Sequence, residues 1–388
     1  MKIKNVSSVY EYIKRSKSII NRIKTISSNG EINGFTPPST LIGEYGYPRV
    51  SVGLMFTTDY NASVYDAPRY WAETGYDVSK IFAIRSSLVN AKSIINVNDA
   101  SNKTMENIAL SVMSRNELAI DLKIEKLAIS PFVSKFDMPS NITGVAKNIK
   151  ITEDVKLDRP VEKVYYDHDF KSLDAINYLY GEGIYEDKIS KMLSVGGLGI
   201  RRKIVPTKWS ITAVDDSIGK NIIEEIKEYS TEDVFFIMSG GTLGNNFTVL
   251  FFEGPWSFEL IEAWNNGNEL YIGKSDYEQY SGRTKYVENT AGAYYAVRLA
   301  VLEKLKLMKR QFSVVAIREI TPEYFVPLGV WVVRESARKA MNGIRTDTKD
   351  FNELIAKSDS ACRYVHDISK RSKLIDFRLK TVSLNHFI

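Results

Sequence analysis

The chain has 388 residues, 44% of them hydrophobic and 26% charged, with a net charge of +5, which is typical of an ordinary soluble globular protein. A single cysteine, Cys362, excludes an intramolecular disulfide and a cysteine-based zinc site, and three histidines argue against a histidine-rich metal centre. No apolar run approaches the roughly 18 residues of a membrane span, and the N-terminus lacks signal-peptide features, so we expect an intracellular, cytoplasmic protein without membrane partners.

Both ends of the chain are basic. Residues 1–30 carry seven bases and one acid, residues 357–388 carry seven bases and three acids, and the residues between them carry a net charge of −5. Basic ends can attract DNA, although solvated terminal helices often have the same composition. Apolar residues at helical spacing predict a basic amphipathic helix over 6–26, within a first segment of 1–30. We expect this helix to add nonspecific affinity for DNA.

A segment rich in glycine, proline and tyrosine follows this helix and predicts a loop over 34–49. Its candidate binding residues supply a hydroxyl, two rings that can stack and a guanidinium: Ser39, Tyr45, Tyr47 and Arg49. A packed turn that leads into the predicted strand at 50–56 would explain the same residues, so both interpretations stay open.

The remaining elements follow from apolar periodicity and length. Predicted helices lie at about 77–89, 102–116, 170–180, 185–194, 212–229 and 287–309. Predicted strands lie at about 118–124, 234–238, 247–252, 312–318 and 328–333. Prolines and polar residues at 130–160 mark a boundary, which predicts core parts at 31–150 and 151–343 and a basic tail at 344–388. Because helices and strands do not alternate strictly, we predict an α+β (or irregular α/β) fold. It would have a mixed sheet, flanking helices, one elaborated or two closely packed domains, and a mobile C-terminal tail.

The densest group of candidate binding residues lies at 195–216. Its glycines let the backbone approach a ligand closely, and the predicted helix from Thr212 would add free N–H groups to an anion site. Its side chains for phosphate or nucleotide binding are Arg201, Arg202, Lys203, Lys208 and Trp209. The glycine spacing matches neither a Walker loop nor a dinucleotide fingerprint.

Two carboxylates, Asp215 and Asp216, would lie in the first turn of that helix. There they could hold Mg²⁺ or Mn²⁺ between the protein and a phosphate, but acidic residues in a first turn also interact favourably with the helix dipole alone. No cofactor is certain from the sequence. The three histidines and Cys362 form no convincing nucleophilic site, so an enzyme of this sequence would use carboxylates and a metal ion.

The last eight residues have the spacing of a sliding-clamp peptide, with a polar first, an aliphatic fourth, an aromatic seventh and a bulky apolar eighth position. These residues are Thr381, Leu384, Phe387 and Ile388. In a short 3₁₀ turn the last three would project together into one apolar pocket. Thr381 departs from the usual glutamine, and the same side chains could instead hold the tail on its own domain. An upstream segment, 371–377, repeats the spacing of four and seven but has an arginine at the eighth position.

Four segments together resemble the Nre family of archaeal DNA-repair proteins: residues 35–52, 193–216, 289–295 and 318–335. The block K-I-V-P-T-K-W-S-I-T-A-V-D-D, residues 203–216, is long enough to be specific. The resemblance implies a role in DNA-damage repair and a C-terminal clamp-binding peptide, which falls on Thr381, Leu384, Phe387 and Ile388. Many members have an N-terminal cysteine-rich zinc motif, but this chain has no cysteine before Cys362, so we expect no zinc site.

We therefore predict an intracellular, nucleoid-associated DNA-repair factor. It would bind DNA or a nucleotide through its body and the sliding clamp (PCNA) through its tail. Two alternatives stay open. One is a metal-dependent nuclease or phosphoesterase that uses Asp215, Asp216 and the bases at 201–203, and the other is a non-catalytic scaffold on the clamp.

Overall fold

The structure is a computed structural model that describes residues 6–27, 29–129, 142–265, 270–363 and 365–380. The chain divides into two compact units. The first unit comprises Met1–Ile218 with Phe325–Gly329, and the second comprises Gly219–Tyr324 with Val330–Ile388. The boundary expected near residue 150 therefore falls inside the first unit, and the division lies within a helix instead.

The first unit consists of helices around one mixed sheet. Its helices are α1 (Val6–Ile26), α2 (Pro68–Glu73), α3 (Val78–Arg85), α4 (Lys103–Met113), α5 (Arg159–Tyr166), α6 (Ser172–Gly181), α7 (Glu186–Ser194) and the start of α8 (Thr207–Ile226), with a 3₁₀ turn at Ala62–Asp66. Its strands are β1 (Glu31–Thr36), β2 (Thr40–Ile42), β3 (Arg49–Phe56), β4 (Val89–Asn96), β5 (Leu118–Ile129) and β6 (Ile142–Ile151).

Among the described residues this sheet has six strands in the order β1-β5-β6-β4-β3-β2. Strands β4 and β6 pair in parallel, with Val89 opposite Ile142, and the other neighbours are antiparallel. Strand β2 lies at one edge, and a hairpin loop of residues 43–48 joins it to β3. This loop is the part of the segment 34–49 that projects from the sheet.

Helix α1 confirms the helix predicted at 6–26. It contacts β5 and buries Ser16, Ile20 and Ile23. Its exposed face carries five bases: Lys14, Arg15, Lys17, Arg22 and Lys24. The helix is therefore held by its apolar face and presents positive charge to solvent.

The second unit also has a mixed sheet with helices on it. Its strands are β7 (Phe235–Thr242), β8 (Asn245–Phe252), β9 (Ser257–Asn265), β10 (Leu270–Ile272), β11 (Asp276–Glu278), β12 (Ser313–Ile320) and β13 (Ile344–Thr348). Its helices are α9 (Ala291–Met308), α10 (Val330–Met341), α11 (Phe351–Ala361), α12 (Ile368–Arg371) and α13 (Lys373–Lys380). Within the described part of the chain the order is β10-β9-β12-β8-β7-β13, with β11 beside β9. Together the two mixed sheets and their helices confirm the predicted α+β class.

Both faces of the second sheet are covered. Because alternate residues of a strand point to opposite faces, neighbouring residues of one strand belong to two different apolar clusters. Phe236 stacks on Phe251 with ring centroids 4.5 Å apart, and Phe312 meets both rings edge-on. Ile237 and Leu250 belong to a different apolar cluster, which includes residues of α11 to α13. No helix of the described residues is long and apolar enough to cross a membrane.

Three predicted elements are wrong at their positions. The loop expected over 34–49 contains the end of β1 and the whole of β2, so its longest stretch outside a strand is the hairpin loop at 43–48. The strand expected at 328–333 is the start of α10, because a short apolar run fits a buried helix as well as a strand. The helix expected from Thr212 starts at Thr207, where Trp209 and Ser210 donate backbone hydrogen bonds to the Pro206 carbonyl. Because the Pro206 carbonyl accepts the first hydrogen bonds of the helix, Thr207 is its first residue and Trp209 lies in the first turn.

Candidate nucleic-acid interface

The hairpin loop at 43–48 and the start of α8 meet in the first unit. The backbone N–H of Ile42 donates to the hydroxyl of Thr207 at 2.8 Å. The hydroxyl of Ser194, at the end of α7, lies 3.4 Å from the same oxygen and donates to the carbonyl of Val205 at 2.6 Å. The edge of the sheet, α7 and the start of α8 are therefore joined by one set of hydrogen bonds.

Glu44 fixes the loop against the first turn of α8. Its carboxylate accepts a hydrogen bond from the indole N–H of Trp209 at 3.1 Å and pairs with the ammonium of Lys208 at 3.4 Å. The rings of Tyr47 and Trp209 lie 5.8 Å apart with an interplanar angle of 39°. A carboxylate that holds both neighbours leaves the indole little freedom to rotate.

Three rings of the hairpin loop and the first turn of α8 are exposed to solvent. Trp209 is 47% exposed, Tyr47 is 54% exposed and Tyr45 is 89% exposed. We call Tyr45, Tyr47 and Trp209 the aromatic surface. Exposed rings close to bases are the combination with which proteins stack nucleobases and contact phosphates.

The turn that carries these tyrosines depends on a glycine. Gly46 has φ of 83°, and the backbone N–H of Arg49 donates to the Gly46 carbonyl at 2.9 Å. A Cβ atom at Gly46 would lie 2.8 Å from the carbonyl oxygen of Arg49, closer than a side chain tolerates. Arg49 directly follows this loop as the first residue of β3, and its side chain is exposed.

Ser39, the other candidate from this segment, is buried. Its hydroxyl hydrogen-bonds to the carboxylate of Asp66, which also pairs with Arg85 at 3.0 Å and with Lys191 at 2.9 Å. Burial alone would raise the pKa of Asp66, but these two cations hold it below its ordinary value. Ser39 therefore ties β2 to a buried ion network, and the structure places it away from solvent.

The basic triplet is divided by the structure. Arg201 and Lys203 are exposed, whereas Arg202 is half-buried. The guanidinium of Arg202 donates to the carbonyl of Tyr165 and lies 4.9 Å from the centroid of the Tyr165 ring. Burial lowers the pKa of Arg202. The structure thus brings Lys208 to Glu44 and Trp209 to Glu44 and Tyr47, while it directs Arg202 to α5.

The two carboxylates expected in the first turn of a helix lie deeper in it. Because α8 starts at Thr207, Asp215 and Asp216 lie about two turns inside the helix. Consecutive helical side chains project about 100° apart, and here Asp215 is buried while Asp216 is only partly buried. Within the described ranges, no group of three or more acidic, histidine or cysteine side chains is arranged to hold a metal ion. Metal binding at these two residues stays a prediction.

The clamp peptide, with Thr381, Leu384, Phe387 and Ile388, lies outside the described residues. The upstream segment with similar spacing is part of the fold. Leu374 is 4% exposed, and the carboxylate of Glu259 accepts hydrogen bonds from the Leu374 N–H at 3.0 Å and from the Ser372 hydroxyl at 2.6 Å. Leu374 could enter a pocket on a partner only if α13 left the sheet.

Two residues have roles that the sequence did not indicate. Glu44 organises the aromatic surface, but nothing in a single acidic residue of a glycine-rich loop identifies its partners. Cys362, which we expected in a polar tail, is buried in the cluster with α12 and α13, and burial raises its pKa to about 12. Its thiol is therefore protonated at neutral pH and is not an activated nucleophile.

Comparisons with known proteins agree with this organisation of the chain. The family model described as "Archaeal Nre, N-terminal" matches residues 6–269, and the model described as "Archaeal Nre, C-terminal" matches residues 278–387. No solved structure matches the chain.

Three curated relatives are DNA-repair proteins of archaea. The chain is 37% identical to DNA repair protein NreB of Archaeoglobus fulgidus over 331 residues, which cover 82% of each chain. It is 33% identical to NreA of the same organism over 371 residues, or 92% of each chain. It is 31% identical to NreA of Haloferax volcanii over 366 residues, 88% of this chain and 87% of the relative. The chain therefore belongs to the archaeal Nre family of DNA-repair proteins.

Proposed function

We propose that this protein is a DNA-repair factor that binds DNA through the aromatic surface and docks on the sliding clamp (PCNA) through residues 381–388. The observation that carries the DNA-binding part is the exposed Tyr47–Trp209 pair, which Glu44 holds in place before any ligand arrives. A preorganised platform loses less conformational entropy on binding than a mobile one. Such a factor would act at the nucleoid.

The charges around the aromatic surface suit a polyanion. Lys208 is paired with Glu44 at 3.4 Å, but its side chain is 40% exposed, so the pair is worth at most about 1 kcal/mol. A DNA phosphate can compete for such a lysine at little cost. Arg49 is exposed at the end of the same hairpin, and Arg201 and Lys203 are exposed in the loop that precedes α8. These four bases are the candidates for phosphate contacts, with either DNA or a nucleotide as the ligand.

The clamp-binding part rests on the spacing of the terminal peptide and on the structure directly before it. Helix α13 is held to β9 by Glu259, and its residues Leu374 and Ile375 are buried. The folded anchor therefore extends to Lys380, one residue before the predicted peptide. A partner bound at 381–388 would be connected to the body without unfolding α13.

Replacement of Trp209 by alanine should weaken binding of single-stranded DNA by roughly tenfold, since stacking of one base contributes about 1–3 kcal/mol. Trp209→Phe keeps a ring but loses the N–H bond to Glu44, so it should retain most of the affinity. Tyr166→Ala removes a different exposed ring of the first unit and should change little. Fluorescence anisotropy with a labelled oligonucleotide measures the DNA affinity of the wild type and the three variants. Equal affinities would refute DNA binding by the aromatic surface.

The same oligonucleotides with Mg²⁺ or Mn²⁺ test the enzymatic alternative. Release of labelled product that is abolished by Asp215→Ala would replace the proposal of a binding factor with that of a metal-dependent nuclease or phosphoesterase. Binding that depends on salt, without release of product, supports the binding factor. Clamp binding without DNA binding would leave a non-catalytic scaffold.

The basic face of α1 should contribute phosphate contacts of its own. A chain that begins at Gly30 lacks the five exposed bases of that face and should show a shallower dependence of affinity on salt. On duplex DNA each lost contact lowers the slope of log K against log salt by about 0.9. Titrations at several salt concentrations measure this slope, and an unchanged slope would mean that α1 serves packing alone.

A further inference from the structure

A cleft of about 220 Å³ lies between α1, the residues 57–59 that follow β3, and the start of β4. Two guanidinium groups and four hydroxyl groups line it: Arg15, Arg22, Ser18, Thr57, Thr58 and Ser87. The spacing of Arg15, Ser18 and Arg22 is i, i+3 and i+7, which places these three residues on one face of α1. The lining therefore combines two positive charges with hydroxyl donors on opposite walls.

One of the two guanidinium groups is already neutralised. Arg22 donates to the carboxylate of Asp59 and to the hydroxyl of Thr58. The hydroxyl of Tyr65 donates to the other carboxylate oxygen of Asp59 at 2.8 Å. Burial alone would raise the pKa of Asp59, but the hydrogen bonds from Arg22 and Tyr65 hold it below its ordinary value. Asp59 is thus an anion that occupies part of the positive lining.

The second guanidinium is not matched in this way. Arg15 is exposed on α1, and Asp59, the acidic residue of the cleft lining, pairs with Arg22 instead. Its charge acts on the side chains around Asp59, because Arg15 opposes the rise in the pKa of Tyr65, the donor to Asp59. With one carboxylate against two guanidinium groups, the cleft retains a net charge of +1 at neutral pH.

We propose that this cleft binds a phosphate monoester, supplied either by the end of a DNA strand or by free phosphate. Guanidinium and hydroxyl groups are the donors that recognise phosphate oxygens. The volume is below the roughly 300 Å³ at which pockets for drug-sized ligands begin, so it suits a phosphate group better than a whole nucleotide. The site is distinct from the aromatic surface and goes beyond the proposed function.

Calorimetric titration of the full chain with inorganic phosphate tests this site through variants that change affinity in opposite directions. Arg15→Gln should weaken binding about tenfold, because a charge-assisted hydrogen bond is lost. Asp59→Asn should tighten it by a similar factor, since the competing anion is removed and Arg22 is released. Lys150→Gln removes an exposed base of β6 that does not line the cleft and should have no effect.

Oligonucleotides of one sequence with a 5′-phosphate or a 5′-hydroxyl distinguish the two sources. A preference for the phosphorylated strand that Arg15→Gln abolishes identifies a DNA end as the ligand. Binding of inorganic phosphate with no such preference identifies free phosphate. Equal behaviour of the Arg15, Asp59 and Lys150 variants towards both probes would overturn the proposal, as would weaker binding in Asp59→Asn with an unchanged melting temperature. Arg15→Lys should give an intermediate affinity, because a lysine keeps the charge but not the two-pronged donor.

Discussion

Replacement of Glu278 by alanine should lower the unfolding free energy of the second unit by about 3–5 kcal/mol. Glu278 and Arg298 form an ion pair of 2.9 Å between β11 and α9, and both side chains are almost completely buried. The other carboxylate oxygen accepts a hydrogen bond from the indole N–H of Trp256 at 3.2 Å. Loss of the carboxylate removes the counter-charge that Glu278 supplies to a buried guanidinium, which costs more than loss of an exposed pair.

Glu225→Ala is the matched control, because Glu225 pairs with Lys306 at 2.6 Å with both side chains largely exposed. Its loss should cost less than about 1 kcal/mol. Urea denaturation followed by circular dichroism compares the two variants with the wild type. Similar small losses in both variants would show that the buried pair is not a major source of stability in this unit.

Replacement of Phe387 by alanine should weaken binding of the cognate clamp by about thirtyfold or more. An anchoring ring that fills a pocket commonly contributes 2 kcal/mol or more, and each 1.4 kcal/mol corresponds to a factor of ten. Phe377→Ala should change clamp binding little. Phe377 has the corresponding position in the upstream segment, but the Leu374 that would bind beside it is buried against the second sheet.

Calorimetry with the full chain and with peptides of residues 371–378 and 381–388 separates the two candidates. We expect binding by the terminal peptide, with Leu384 and Ile388 contributing beside Phe387. The reverse ranking would move the site to Leu374 and Phe377 and would require α13 to leave β9. Absence of binding by either peptide would refute clamp recruitment.

Elements with strong periodicity could be predicted from the sequence. The apolar positions of α1 and the aromatic strand β8 are encoded in consecutive residues, and both lie close to their expected positions. The same holds for the helix expected at 102–116, which is found as α4 at Lys103–Met113. In each case one local pattern fits one type of element.

Elements whose local pattern fits two structures could not be predicted in this way. The run from Val330 to Val333 has the apolar and β-branched residues of a strand, yet it forms the first turn of a helix whose buried positions recur at Val333, Ala337 and Ala340. Residues 142–151 resemble a polar boundary, but they form β6 because β4 and β5 pair with them on either side. Tertiary pairing decides such segments.

The candidate site shows the same division. The residue types were visible, since a loop of tyrosines and a block with Lys208 and Trp209 both suggest contact with nucleic acid. The sequence did not show that these residues come together, because Glu44 and Trp209 are 165 residues apart in the chain. Nor did the sequence distinguish Arg202, which faces Tyr165, from its exposed neighbours.

The measurement that tests the central claim most directly is the affinity of the chain for DNA that carries the sliding clamp, compared with the same DNA alone. If the aromatic surface and the terminal peptide bind simultaneously, the clamp should increase the affinity by roughly a hundredfold or more. Phe387→Ala should abolish this gain, and Trp209→Ala should lower the affinity for both forms of DNA. Equal affinity of the wild-type chain for bare and clamp-bearing DNA would contradict the account.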